Sequence, residues 1–152
     1  MAWIEPIYDR TEQDVLHVKR LIEDIKSGIA TPQEIVEYST DLKGAINTSD
    51  LQRILGNIEY VADMLDVTIQ TQTVPEIPRV SWYSTLLSNL TSVLNKYIKY
   101  SDTPDIPTQP INTYEKWNTI EKILWDIKTI YEANEHYYAG NEELYANNNG
   151  II

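Results

Sequence analysis

The stretch TSDLQRILGNIEYVADMLD, residues 48–66, decides how this chain is read. On a helix, with about 100° between successive residues, Leu51, Ile54, Leu55, Ile58, Val61, Ala62 and Leu65 fall in one wide stripe that must be buried. Asn47 or Thr48 can cap the free N–H groups at the start, and Asp50 sits favourably at the positive end of the helix dipole. A second stripe of Arg53, Asn57, Tyr60 and Met64 runs beside the first and is too polar for a core. Gly56 borders it. Glycine inside a helix costs about 0.5–1 kcal/mol relative to alanine, so a close approach by another backbone would be a reason to keep it. This side is therefore expected to be a contact surface.

Towards the N-terminus, Lys43-Gly44 ends a short preceding helix through Ile35, Tyr38 and Leu42. That helix opens on Thr31-Pro32-Gln33-Glu34, with threonine as N-cap, proline at the first helical position and glutamate three residues on. Before it, Thr11-Glu12-Gln13-Asp14 opens a helix with Val15, Val18, Ile22, Ile25 and Ile29 at heptad-like spacing, ending near Ser27-Gly28. Short connections predict that these first three helices fold as a local antiparallel set. Residues 1–10 carry Trp3, Ile4, Ile7 and Tyr8 around Pro6, which suits an extended arm. The arm covers either its own domain or a neighbour's.

Towards the C-terminus, Val67 to Val80 loses helical periodicity, alternates weakly and contains Pro75 and Pro78. It reads as a linker, and one β-rich run makes no sheet alone. A fourth helix from about Ser81 to Tyr100 places Tyr83, Leu86, Leu87, Leu90, Val93, Leu94 and Tyr97 on one side. Pro104, Pro107 and Pro110 make the next connector extended and semi-rigid. Asn112-Thr113-Tyr114-Glu115 opens a fifth helix with Trp117, Ile120, Ile123, Leu124, Ile127, Ile130 and Tyr131 on its buried stripe. Trp125 falls on the opposite side among Asn118, Glu121, Lys122 and Thr129, either under a terminal segment or on a partner surface. Ile46-Asn47-Thr48 and Ile111-Asn112-Thr113 introduce helices of matching spacing; duplication and coincidence both account for this. Beyond Asn134, Tyr137-Tyr138, Gly140, Tyr145 and Asn147-Asn148-Asn149-Gly150 read as an irregular tail, expected to stay mobile until a neighbouring subunit orders it.

The predicted fold is all-α: about five amphipathic helices in a bundle, with an arm over 1–10, a three-helix half over 11–66 and a linker over 67–80. A two-helix half over 81–134 and a tail over 135–152 complete one domain of 152 residues. The net charge of −11 repels phosphate backbones and anionic membranes, so no nucleic-acid partner and no membrane insertion are expected. Four tryptophans and eleven tyrosines without a phenylalanine supply apolar area with polar tips, which suits partly wet interfaces. The absence of cysteine removes disulfides, thiolate metal sites and cysteine nucleophiles. Met1-Ala2-Trp3-Ile4-Glu5-Pro6 has no signal-peptide character, so the protein is expected to stay in the cytosol or leave it by lysis.

Catalytic patterns are missing. His17 reads as a solvated flank residue, and Glu132 with His136 supplies two ligands, too few for a metal. There is no phosphate loop, zinc helix, nucleophile elbow or calcium loop. Asp63/Asp66 and Glu142/Glu143 are carboxylate pairs without a cleft to hold them across a substrate. No enzyme activity, cofactor or metal is expected.

Three segments resemble a known group. Ser49-Asp50-Leu51-Gln52-Arg53-Ile54 followed by Asn57-Ile58-Glu59-Tyr60-Val61-Ala62-Asp63 resembles a segment recurrent in small tail, baseplate or fibre-associated proteins of bacteriophages and phage-tail-like particles of Gram-positive bacteria. There it commonly reads Asp-Leu-Asn-Arg-Ile-Glu with a later Asn and a Tyr-Leu-Ala-Asp-like end; this chain departs at Gln52 and Leu55. Ala2-Trp3-Ile4-Glu5-Pro6 and Trp117-Asn118-Thr119-Ile120-Glu121 are similar to the same group. The resemblance covers about half of the chain. It implies a structural or assembly component of a virion or tail-like particle, put together in the host cytoplasm. Its partners would be other tail or baseplate proteins or further copies of itself, as a homo-oligomer. The expected contact residues are Trp3, Arg53, Gly56, Asn57, Tyr60, Met64, Trp125, Tyr137 and Tyr138. The rival expectations are a receptor- or carbohydrate-binding module of the same particle and an acidic inhibitor of a host protein.

Overall fold

A computed structural model describes residues 2–97 and 103–148, with side chains as far as Ala133. It contains five helices: α1 (Glu12–Lys26), α2 (Pro32–Tyr38), α3 (Thr48–Leu65), α4 (Val80–Lys96) and α5 (Tyr114–Asn148). Among the described residues there is no strand, so the chain is all-α.

Local chemistry sets the helix starts. Thr11 and Asp14 close a reciprocal capping box on α1, as do Thr31 and Glu34 on α2. At α3 the Asn47 backbone N–H donates to Asp50 Oδ2 over 2.7 Å. α1 ends at Ser27 and Gly28, the latter with a positive φ of 73°. α5 continues through Asn148, where an irregular tail was expected from residue 135. The stretch after Asn134 contains no proline, so nothing in its backbone breaks the ladder of local hydrogen bonds.

The core lies between α3, α4 and α5. Every residue of the expected α3 stripe is buried, and Leu86, Leu90, Val93, Trp117, Ile120, Ile123, Leu124 and Ile127 meet it. Tyr83, Leu87, Leu94, Ile130 and Tyr131 pack partly buried around it. The strongest contacts of α3 are thus with α4 and α5, while α1 packs chiefly on α2. The expected first-half grouping of α1, α2 and α3 is not the main packing. α1 buries Val18 and Leu21, whereas Ile29, past the helix end, is 70% exposed. Gly44 passes α1 so closely that a Cβ there would sit 2.0 Å from the Asp14 carbonyl oxygen. Only glycine fits that crossing.

Residues 67–79 run extended with Val67, Ile69 and Val74 turned to the core. Val67 and Ile69 alternate as in a strand, Val74 breaks that period, and among the described residues no strand pairs with the segment. Its backbone is satisfied instead by a side chain: the Gln70 N–H donates to Asn89 Oδ1 (3.0 Å), and Asn89 Nδ2 donates to the Gln70 carbonyl (2.7 Å).

Candidate functional site: the groove between α3 and α5

Arg53 meets Glu121, and seven residues further along each helix Lys128 Nζ lies 5.9 Å from the Tyr60 ring centre. α3 and α5 therefore run parallel here, with a groove between them. Residues 3–10 fill that groove in the opposite direction, Trp3 beside Tyr60 and Arg10 beside Asp50 and Asn118. The arm docks on its own chain.

Two asparagines grip it as Asn89 grips Gln70. The Ile4 N–H donates to Asn57 Oδ1 (3.1 Å) while Asn57 Nδ2 donates to the Ile4 carbonyl (2.7 Å). The Arg10 N–H donates to Asn118 Oδ1 (3.1 Å) while Asn118 Nδ2 donates to the Arg10 carbonyl (2.8 Å). A primary amide offers one acceptor and a donor in the spacing that a neighbouring strand would present. Extended backbone lying on helices thereby satisfies groups that would be costly to bury unpaired.

At the floor of the groove two arginines and two carboxylates form a closed set. Arg10 Nη2 reaches Glu121 Oε2 at 2.7 Å and Asp50 Oδ1 at 3.4 Å. Arg53 reaches Glu121 Oε1 through Nε at 2.6 Å, and Asp50 Oδ1 through Nη2 at 2.7 Å. Glu121 Oε1 also accepts the Ile7 N–H at 3.1 Å, and Arg10 Nη1 donates to the Ile7 carbonyl at 2.7 Å. Glu121 is 0% exposed and Arg10 is 3% exposed. Burial pushes the Arg53 pKa down, but hydrogen bonds from its guanidinium to Glu121 and Asp50 outweigh it, and the net shift is upward. With two charges of each sign, the set is formally neutral. Removing one member of such a buried set typically costs about 3–5 kcal/mol. A slip of the arm along its groove would carry Arg10 away from its partners, so the charges fix the register of the arm.

Aromatic rings close the groove above. Trp3 and Tyr60 lie 5.5 Å apart, with Lys128 Nζ 5.2 Å from the Trp3 ring. Tyr8 covers Trp125 at 5.8 Å, and Lys122 Nζ sits 4.3 Å from the indole centre, in cation–π range.

The expected contact surface is thus occupied from within. Arg53, Asn57 and Gly56 are buried in the fold, so they are not open to a partner as expected; the arm binds Asn57 directly and shares with Arg53 the carboxylates of Asp50 and Glu121. Trp3 and Tyr60 meet in a tilted ring contact, Met64 packs partly buried against the core, and Trp125 lies beside Tyr8. Tyr137 and Tyr138 fall on the backbone of α5, and their side chains lie outside the described residues. Sequence reasoning missed Arg10 and Glu121. The polar residues around Glu121 suggest a solvent-facing side of α5; the signal for its burial is its place one turn from Asn118, on the face that also carries Trp125.

Among the open cavities, two lie at the ends of these helices. One, of about 450 Å³, lies where α3 and α5 begin, lined by Asn47, Thr48, Asn112, Thr113, Tyr83 and Trp117 among others. Its charged lining residues are Arg10 and Glu76, and it holds no histidine or carboxylate pair for acid–base work. The other, of about 540 Å³, lies at the C-terminal end of α3 beside Glu59, Asp63 and Asp66. Among the described residues, no three His, Cys, Asp or Glu side chains are placed to hold a metal ion, and no helix is long and apolar enough to cross a membrane.

Comparison with known proteins finds no matching family, no matching curated protein and no matching solved structure.

Proposed function

We propose that this chain is a structural subunit of a phage tail or tail-like particle, acting through protein contacts in a baseplate, fibre or adaptor and carrying out no catalysis. One observation carries the reading. The three segments that bear the resemblance, Ala2–Pro6, Ser49–Asp63 and Trp117–Glu121, are far apart in sequence yet converge on one groove. Ile4 is held by Asn57, Trp3 lies on Tyr60, and Arg53 pairs with Glu121. Asp50, Arg53, Asn57 and Tyr60 are thus the residues by which a helix holds an extended arm. A shared motif whose parts form one physical unit supports a shared structural role more strongly than scattered short matches would. The acidic charge and the apolar residues left on the surface fit a protein whose work is contact.

The test is fractionation of lysates from the source cells after induction of particle production. The chain should sediment with tail-like particles and be identified there by mass spectrometry. Its presence solely in the free protein fraction, with particles complete without it, overturns the proposal.

A further inference from the structure

α2 buries none of its seven residues, although three are apolar. Ile35 is 53% exposed, Val36 64% and Tyr38 45%, and Ile29 just before the helix is 70% exposed. A helix this short is far below the length that is stable alone, so its capping box and its packing on α1 hold it in place. Its apolar side chains contribute nothing to the core that forms around α3.

The charges beside these residues are of one sign on α2. Glu34 and Glu37 are its charged residues, and the Asp24 carboxyl of α1 lies beside that of Glu34. Glu37 is met by His17, whose other ring nitrogen faces Arg20 at 2.9 Å. Among the described residues no cation forms a direct ion pair with Asp24 or Glu34: the contact with Glu34 pushes the Asp24 pKa up, and Arg20 acts on both carboxyls from a distance. Two carboxyl groups facing each other at the edge of an apolar surface are a natural seat for a lysine or arginine.

We propose that α2 and the turn before it form a docking surface for a partner protein segment that presents apolar side chains flanked by lysine or arginine. A second copy of this chain is the wrong occupant, because each copy carries −11 and paired α2 faces would oppose Glu34 and Glu37 to themselves. The proposal is independent of the particle reading and stands on the surface alone.

The test titrates the ¹⁵N-labelled full chain with a synthetic amphipathic helix of leucine and lysine about four turns long, and with a leucine–glutamate counterpart. The leucine–lysine peptide should shift amides over residues 29–38 and around Asp24, while its counterpart leaves the spectrum unchanged. Ile35→Ser combined with Val36→Ser changes two exposed positions, so helical content should persist while affinity falls about tenfold. Asp24→Asn with Glu34→Gln should weaken binding and flatten its salt dependence. The proposal falls if no binding occurs, if the shifts gather elsewhere such as beside Glu59, Asp63 and Asp66, or if the Ile35/Val36 variant binds equally well. It also falls if the wild type self-associates in ultracentrifugation and the same double substitution abolishes that association, since the occupant is then a second copy.

Discussion

The arm over residues 3–10 and the connector over 67–79 are both extended, both lie on helices, and both have backbone held by asparagine amides. They differ in what else holds them. The connector has one asparagine grip, two hydrogen bonds with Trp82 (Gln72 Nε2 donates to its carbonyl, and its Nε1–H donates to the Thr73 carbonyl) and three apolar side chains against the core. The arm has two grips, two tilted aromatic contacts and a buried arginine between two carboxylates. The connector joins α3 to α4, so its ends are fixed by helices that fold in any case. The arm is followed by α1 and, among the described residues, no helix leads into it, so its order rests on its own contacts against about 1–2 kcal/mol of backbone entropy per residue. Greater freedom requires stronger restraint.

The harshest way to break this contrast is Glu121→Ala. It strands Arg10 and Arg53 without their shared carboxylate, and stability in urea should fall by about 3–5 kcal/mol. Hydrogen exchange should then show the Ile7 and Arg10 amides opening well ahead of the α3–α4 core. Next comes Asn57→Ala, which leaves the Ile4 N–H and carbonyl unpaired at a cost of about 1–3 kcal/mol. Limited proteolysis should release the first residues while the helical signal stays. Asn89→Ala removes an equivalent pair of bonds and should cost no more than Asn57→Ala. Its exchange should rise around Gln70, where Trp82 and the apolar side chains still hold the connector; cleavage there as fast as in the arm variant would refute the contrast.

The smallest effect is in acid. Hydrogen bonding to the Thr11 backbone N–H holds the Asp14 pKa below its ordinary 3.8. Its contribution to stability is therefore present above that value and lost as pH falls through the lowered one. Asp24 is shifted up from 3.8 by the Glu34 carboxyl beside it, so its contribution is present at lower pH and lost as pH rises through the raised value. Carbon-detected NMR titration should show the two aspartates moving apart in opposite directions, with Glu34→Gln abolishing the upward shift alone.

What could be read from the sequence follows from the range of the forces involved. α3, α4 and α5 were legible because a core stripe repeats with the helical period, and each expected apolar position on them is buried or packed against the core. Capping boxes located α1 and α2 because a cap is made by residues three apart. Burial was less legible. Ile35 and Tyr38 have helical spacing, yet they stay exposed because the core forms elsewhere. The groove was half legible: Arg53, Asn57, Tyr60 and Trp3 were singled out, but the extended arm carries no period to tell which helices it crosses. Arg10 and Glu121 are 111 residues apart, and no local pattern links them.

The asparagine grips also set which positions are free to vary. Each reads a bare peptide group, so the side chains at Ile4 and Gln70 take no part in the bonds and tolerate replacement by any residue that keeps its N–H, which excludes proline. The gripping residue has no such latitude. Aspartate lacks the donor and glutamine is one methylene too long, so Asn57, Asn89 and Asn118 should be more constrained in divergent sequences than the residues they hold.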